Sequence, residues 1–280
     1  MFYLLKSFIQ MKILLNNLDL NEALYGVSNL GFVPTMGSLH KGHLSLIKRS
    51  LKECKKTIVS IFVNPTQFNN KNDYKKYPIN KEKDLLILKK LKVDFVYMPK
   101  KKDVYYLNNK TSIKINKKDK VLCAKFRKGH FEGVIDVMKR LTNIVKPRKI
   151  YMGEKDFQQL YLVKKYIRNK YRFRIVSCKT IRDKNKLVLS SRNVLLNKFE
   201  LIKAGKLTQN LLSFKKKIIK RKDINNFLIL KKMELEKLYN IKVEYLELRN
   251  TINLRKTYNL QNSKIFIAYY LKKIRLIDNF

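Results

Sequence analysis

Apolar positions along this chain fall into two alternating rhythms. Short runs rich in β-branched residues stand at 31–34, at 57–63 (TIVSIFV), at 93–98 (VDFVYM), at 149–152 (KIYM) and at 173–178 (FRIVSC). The run at 57–63 has almost no polar position, which predicts a strand buried on both faces of a parallel sheet. Between the runs the period lengthens. Leu44, Ile47 and Leu51 predict a helix over 42–55, and Val134, Val137, Met138 and Leu141 predict one over 131–145, with Pro147 just past its end. Further helices are predicted over 81–91 and 156–169.

This alternation predicts an α/β fold, a Rossmann-like doubly wound parallel sheet, over residues 1–180. The rhythm changes beyond that point. Helical patterns at 197–220 and 223–239 precede strand patterns at 243–249 (VEYLELR) and 265–271 (IFIAYYL), and the closing KIRLIDNF is unassigned. A smaller α+β domain over 181–280 follows from that order.

Composition changes the picture in one respect. The 280 residues carry 64 Lys plus Arg against 21 Asp plus Glu, a formal charge of +43. Nucleic-acid binding would concentrate that charge in a patch. Instead lysines occupy nearly every segment, as in KKDVYYLNNK and SFKKKIIKRK, and scarce Gly, Pro and Ala match AT-rich codon usage. Solvated faces, with no specific nucleic-acid partner, are the expected outcome. No run of 18 uncharged apolar residues exists, so no membrane helix is expected. The apolar start, MFYLLKSFIQMKILL, is broken by Lys6 and Lys12 and lacks the marks of a signal peptide. Cys54, Cys123 and Cys178 are odd in number and have no metal-ligand spacing, which points to free thiols in a cytoplasmic protein.

Candidate chemistry concentrates at VPTMGSLHKGHLSL, residues 33–46. Two of three histidines and two of eight glycines lie here, between a predicted strand and a predicted helix. Such turns sit at the carboxyl edge of a parallel sheet, where ligands bind. A helix start offers unpaired N–H groups to an anion, and Gly37 and Gly42 allow close approach. His40 and His43, three residues apart, suit hydrogen bonds to phosphate oxygens as charge develops there. A capped helix with two surface histidines is the plainer alternative, and strand, turn, glycines and HxGH together favour the phosphate reading. Asn64 and Gln67 follow the buried strand at the same edge, and their amides suit a small ligand with hydroxyls and a carboxylate. Gly153, Glu154, Lys155 and Asp156 repeat the strand-to-helix setting: a glycine, a phosphate counter-charge, and a carboxylate able to cap the helix or help hold Mg²⁺. Ser190, Ser191 and Arg192 offer two hydroxyls and a guanidinium fork.

HKGH fits the HxGH signature of nucleotidyltransferases. The longer blocks VPTMGSLHKGHLSLI, VSIFVNPTQF with DYKKYP, RKGHFEGV, IYMGEKDFQQL, LSSRN and RLIDN occur in order from residue 31 to 279. Together they resemble the pantoate–β-alanine ligase family. That resemblance implies ATP-dependent condensation of pantoate with β-alanine through a pantoyl adenylate. It implies an ATP site of Met36, Gly37, Ser38, Leu39, His40, Lys41, Gly42, His43, Gly153, Glu154, Lys155, Asp156, Ile181, Leu189, Ser190, Ser191 and Arg192. It implies substrate contacts at Pro34, Thr35, Met36, Asn64, Gln67 and Gln159, catalytic roles for His43, His40 and Lys155, Mg²⁺ with the phosphates, and a homodimer. Tyr77 is a further pocket candidate, while His130 and Arg127 stay open between site contact and loop ordering. Another nucleotidyltransferase of the same fold and a basic RNA-binding protein are the competing readings.

Overall fold

The computed structural model describes residues 10–69, 71–106, 113–167, 172–218 and 223–280. Among these, six parallel strands form one sheet: β1 (Lys12–Leu14), β2 (Leu30–Thr35), β3 (Lys56–Ile61), β4 (Phe95–Tyr97), β5 (Lys149–Gly153) and β6 (Arg174–Cys178). Their order is β1-β4-β3-β2-β5-β6. The chain winds outward from β2 to β3 and β4, then crosses back to place β5 on the other side of β2. β2 and β5 therefore flank the point where the winding direction reverses, and the crevice at their carboxyl ends is where an open α/β sheet takes a ligand.

The inner strands β2, β3 and β4 are buried on both faces because helices cover both. Val33, Val59, Val96 and Tyr151 join one core cluster with Leu46 and Ile47 of α2 (Lys41–Glu53). Their neighbours Phe32, Ile58, Tyr97 and Ile150 point the other way, as the two-residue period requires. These pack with Leu20 of α1 (Asn17–Leu24) and with Val134, Val137, Met138 and Leu141. Two short helices, α3 (Lys71–Lys75) and α4 (Lys81–Lys90), lead into β4. Leu88 of α4 seals the first cluster. After β4 come α5 (Lys101–Val104), α6 (Cys123–Phe126) and α7 (His130–Val145), and α8 (Phe157–Tyr166) follows β5.

The remainder holds α9 (Lys198–Ile218), α10 (Ile224–Tyr239) and an antiparallel sheet of β7 (Lys242–Asn250), β8 (Ser263–Leu271) and β9 (Ile274–Asn279), ordered β7-β8-β9. One face, with Leu246, Leu248, Ile265 and Ile267, packs on Leu207, Leu211 and Leu228 of the two helices. The other face carries Tyr245, Phe266 and Ala268 into the core under α7 and α8. A register shift between Val243 and Tyr245 makes this possible. The extra residue sends Val243 to one face and Tyr245 to the other, as a bulge does.

The predicted strands and helices are present with small differences at their ends. The strand expected over 93–98 is confined to Phe95–Tyr97. The helix expected from 156 begins as a 3-10 turn at Glu154–Asp156 and becomes α-helical at Phe157, and position 169 lies outside the described residues. Positions 219 and 220 of the helix expected over 197–220 also lie outside them. The pattern does not anticipate β1 and α1, because a three-residue edge strand is too short to show a period. Nor does it anticipate β9, whose alternation is masked by Arg275 and Asp278 turning inward to form ion pairs.

Candidate active site

The turn after β2 is held in an unusual backbone shape. Gly37 has φ +82° and Ser38 φ +51°. Non-glycine residues resist the left-handed region, so something must hold Ser38 there. Asp84, in the first turn of α4, does so: its carboxylate accepts the N–H of Ser38 and of Leu39, each at 2.7 Å. Asp84 is 1% exposed. Burial raises its pKa, against the two backbone N–H groups that lower it. Thr35 holds the turn from the other side, donating from Oγ1 to Ser60 O at 2.7 Å and accepting from Gly37 N at 3.2 Å.

His40 caps α2, with Nδ1 accepting the Gly42 N–H at 3.1 Å. His43 Nδ1 accepts the His40 N–H at 3.4 Å. Both Nδ1 atoms are therefore acceptors, which leaves the proton of each neutral ring on Nε2. The rings lie 4.0 Å apart between centroids. Desolvation, then the Lys155 ammonium, push His40 down to about 4. Desolvation, then His40, push His43 down to about 3. The pair is a neutral two-donor surface at physiological pH.

Lys155 and Asp156 reach this pair from the turn after β5. Lys155 Nζ lies 3.1 Å from Asp156 Oδ1. Burial pushes the Asp156 carboxyl up, but Lys155, Arg192 and His43 together hold it below its ordinary value. Asn279, at the end of β9, fixes the turn by donating from Nδ2 to the carbonyls of Glu154 (2.9 Å) and Lys155 (3.0 Å). Arg182 grips the neighbouring Asp278 with two bonds of 2.6 and 2.9 Å.

The segment from Ile181 to Arg192 folds back over the first turn. Leu189 N donates to Ile181 O, and Ser191 Oγ donates to Ser38 O at 3.1 Å. A methyl built on Gly42 would meet His40 Cε1 at 2.8 Å and Leu189 Cβ at 4.0 Å, so the glycine lets ring and segment close together. Ser190 caps a short turn, and Arg192 pairs with Asp73 at 3.0 Å while lying over the Tyr77 ring.

Gln67 supplies the remaining wall. Its Nε2 reaches Met36 Sδ at 2.9 Å. Asn64 is buried and fully engaged: Nδ2 donates to Gln67 Oε1 and Gly133 O, both at 3.2 Å, and Oδ1 accepts from Thr66 and from Tyr105 OH. It stands behind Gln67 and positions it. Thr35, likewise, spends its hydroxyl on the backbone. Pro34 sits within β2, Lys41 opens α2 on the exposed side, and Gln159 lies half-buried in the first turn of α8.

The structure thus gathers the turns after β2, β3 and β5 and the segment 181–192 around one crevice. Sequence reasoning missed Asp84 and Tyr105, and it did not single out Asp73 or Gly133 within the blocks DYKKYP and RKGHFEGV. Asp84 reads as an ordinary acidic residue in a helix's first turn, and its partners lie 45 and 46 residues away. Only the fold brings them together.

A doubly wound sheet with neutral histidine donors, a lysine and a helix start at its switch point defines a nucleotide-binding protein of the HxGH kind. The chain belongs to the pantoate–β-alanine ligase family, whose family model matches residues 10–280. It is 38% identical over 270 residues to a pantothenate synthetase of Francisella tularensis subsp. novicida, covering 94% of this chain and 93% of the relative. A Francisella philomiragia pantothenate synthetase is 40% identical over 264 residues, covering 93% and 92%. Among solved structures, pantothenate synthetase from Thermus thermophilus superposes with a TM-score of 0.89 at 32% identity, covering 96% of this chain and 99% of that one. The Francisella tularensis ligase complexed with β,γ-ATP and β-alanine gives 0.82 at 37% identity, covering 96% and 97%.

Proposed function

We propose that this crevice condenses pantoate with β-alanine at the expense of ATP. The reaction has two steps. A pantoate carboxylate oxygen attacks the α-phosphorus, the bond to pyrophosphate breaks, and pantoyl adenylate forms. The β-alanine amine then attacks the acyl carbon, losing a proton as AMP departs with the bonding electrons, and pantothenate results.

The observation that carries the assignment of roles is the commitment of both histidine Nδ1 atoms to backbone N–H groups. It leaves His40 and His43 with Nε2–H donors for phosphate oxygens, where negative charge grows as pyrophosphate leaves. An arriving triphosphate favours protonation of the rings, and Nε2 donates in either state. Lys155, Ser190, Ser191 and Arg192 supply further donors and charge, with the backbone of residues 36–42 lining the nucleotide and Ile181 beside its base. Met36, Gln67 and Gln159 receive pantoate, with Pro34, Thr35 and Asn64 shaping that wall. Gly153 and Glu154 complete the turn that presents Lys155 and Asp156.

Mg²⁺ fits as an ion carried mainly by the phosphates. Among the described residues no group of three or more His, Cys, Asp or Glu side chains is placed to cage a metal. Asp156 is the carboxylate placed to meet such an ion, and the ion would supply charge neutralisation. The segment 181–280 is read as a unit closing over the nucleotide, and the 33.5 kDa chain as a cytoplasmic homodimer. No helix among the described residues is long and apolar enough to cross a membrane.

The test is pyrophosphate release by purified protein with ATP, Mg²⁺ and pantoate, with and without β-alanine. Sustained release with both substrates, yielding pantothenate and AMP, is expected. No release under any pairing overturns the reading.

A further inference from the structure

The last strand, β9, grips two parts of the crevice at once. Successive residues of a strand face opposite sides of its sheet. Leu276 and Phe280 enter the core under α9 and α10, while Ile277 packs into the core under α7 and α8. The same alternation sends Asp278 and Asn279 apart. Asp278 takes both terminal guanidinium nitrogens of Arg182, and Arg182 Nη2 also donates to Asn279 O at 3.1 Å. Arg182 Nη1 donates to Lys186 O at 3.1 Å, inside the turn that Ile181 and Leu189 close. Asn279 turns instead toward the start of α8, where its amide nitrogen meets the carbonyls of Glu154 and Lys155.

As packing alone this is a poor use of an amide. Asn279 is 4% exposed, and among the described residues its Oδ1 has no hydrogen-bond partner. A buried polar atom left unmet weakens a fold. What the residue supplies is the pair of bonds to the Lys155 turn. That turn is three residues of 3-10 helix, and Gly153 at its N-cap gives it no side-chain cap. Its anchor comes from β9. The lysine side chain is long, so where its ammonium reaches depends on where the turn is held.

We propose that Asn279 is a positioning residue for adenylate formation: it acts through Lys155, and with Asp278 and Arg182 it keeps the Lys155 turn in register with the segment that carries Ser190, Ser191 and Arg192. The inference rests on the functional reading above, in which Lys155 and that segment meet the same phosphates. In this role Asn279 binds no substrate itself. It fixes the separation of donors from two distant stretches of chain, so that their alignment is complete before charge develops on the phosphates.

The test is a double-mutant cycle read by single-turnover pyrophosphate release with ATP and pantoate. Asn279→Ala is expected to slow release on the order of 10²-fold, typical of a misplaced group. In the Lys155→Ala background no ammonium is left to misplace, and the same change is expected to cost little or nothing. Equal losses in the two backgrounds overturn the proposal, because independent sites add. So does an undiminished rate in Asn279→Ala. Two further variants separate positioning from packing. Asn279→Leu fills the space without polar atoms, and is expected to melt no lower than Asn279→Ala yet to be as slow. Ile277→Ala loosens the same strand and leaves the clamp atoms in place, and is expected to lower Tm while keeping its rate close to that of the natural protein. A natural rate in Asn279→Leu, or a loss in Ile277→Ala as large as in Asn279→Ala, overturns the proposal, and both comparisons decide even where Lys155→Ala is too slow to follow. Absence of pyrophosphate release from the natural protein with ATP and pantoate is a different result and defeats the functional reading itself.

Discussion

Asp84→Asn isolates the device that shapes the turn after β2. The change keeps the side chain's size and one carbonyl oxygen. One of the two N–H groups, Ser38 or Leu39, keeps its acceptor and the other faces an amide NH₂. Holding Ser38 at φ +51° costs about 1–2 kcal/mol, and two charge-assisted bonds of about 1.5–3 kcal/mol each outweigh that. With its pKa raised, burial costs the charged form of Asp84 more than these bonds return, so the carboxylate serves local shape and not global stability. A buried N–H left without an acceptor costs about 1–3 kcal/mol. The variant should therefore stay folded, with Tm lowered by several degrees. Catalysis should suffer more. Release of the clamp lets residues 37–39 relax and moves the N-terminus of α2 with His40 and His43. A displacement of about 1 Å at such a site costs about 10²-fold. Single-turnover pyrophosphate release with ATP and pantoate, paired with thermal melting, separates the two effects. A rate equal to that of the natural protein, at any Tm, would refute the clamp.

Gly133→Ala should damage the Gln67 wall. A methyl there would stand 2.5 Å from Thr66 O and 2.7 Å from Thr66 C, both backbone atoms that cannot swing aside. Overpacking of about 1–3 kcal/mol and a raised KM for pantoate are expected, and chemical denaturation with unchanged midpoint and kinetics would count against it. The histidines predict acid lability. Their native pKa values are about 3 to 4, below the ordinary value of about 6.5. Below that pH the unfolded chain takes up protons that the native one refuses, so stability is highest above about 6.5 and falls as pH drops toward 3–4. For the buried His130, the loss between pH 7 and 5 is on the order of 2 kcal/mol. Urea midpoints at the two pH values should show a shallower dependence in His130→Gln, and an identical dependence would remove His130 from the account.

The amino-acid sequence by itself determined which strands are buried and which turns carry the candidate chemistry. TIVSIFV is apolar at nearly every position, and a strand buried on both faces is what such a run can become. Leu44, Ile47 and Leu51 share one helical face whatever the helix packs against. The HxGH turn, NPTQ, GEKD and SSR were legible because each is a local arrangement: a glycine or cap at a strand end, with donors a few residues apart. Tertiary structure alone decided how these turns were held. Asp84 meets Ser38 and Leu39, Asn279 meets the Lys155 turn, and His130 meets Gln67 across 63 residues of chain. Periodicity carries no record of such pairs, because a side chain's residue type states what it can bond and not which distant backbone will be brought to it. The Val243–Tyr245 bulge is of the same kind. One inserted residue turns Tyr245 from one sheet face to the other, and only the closing of β7 on β8 reveals it.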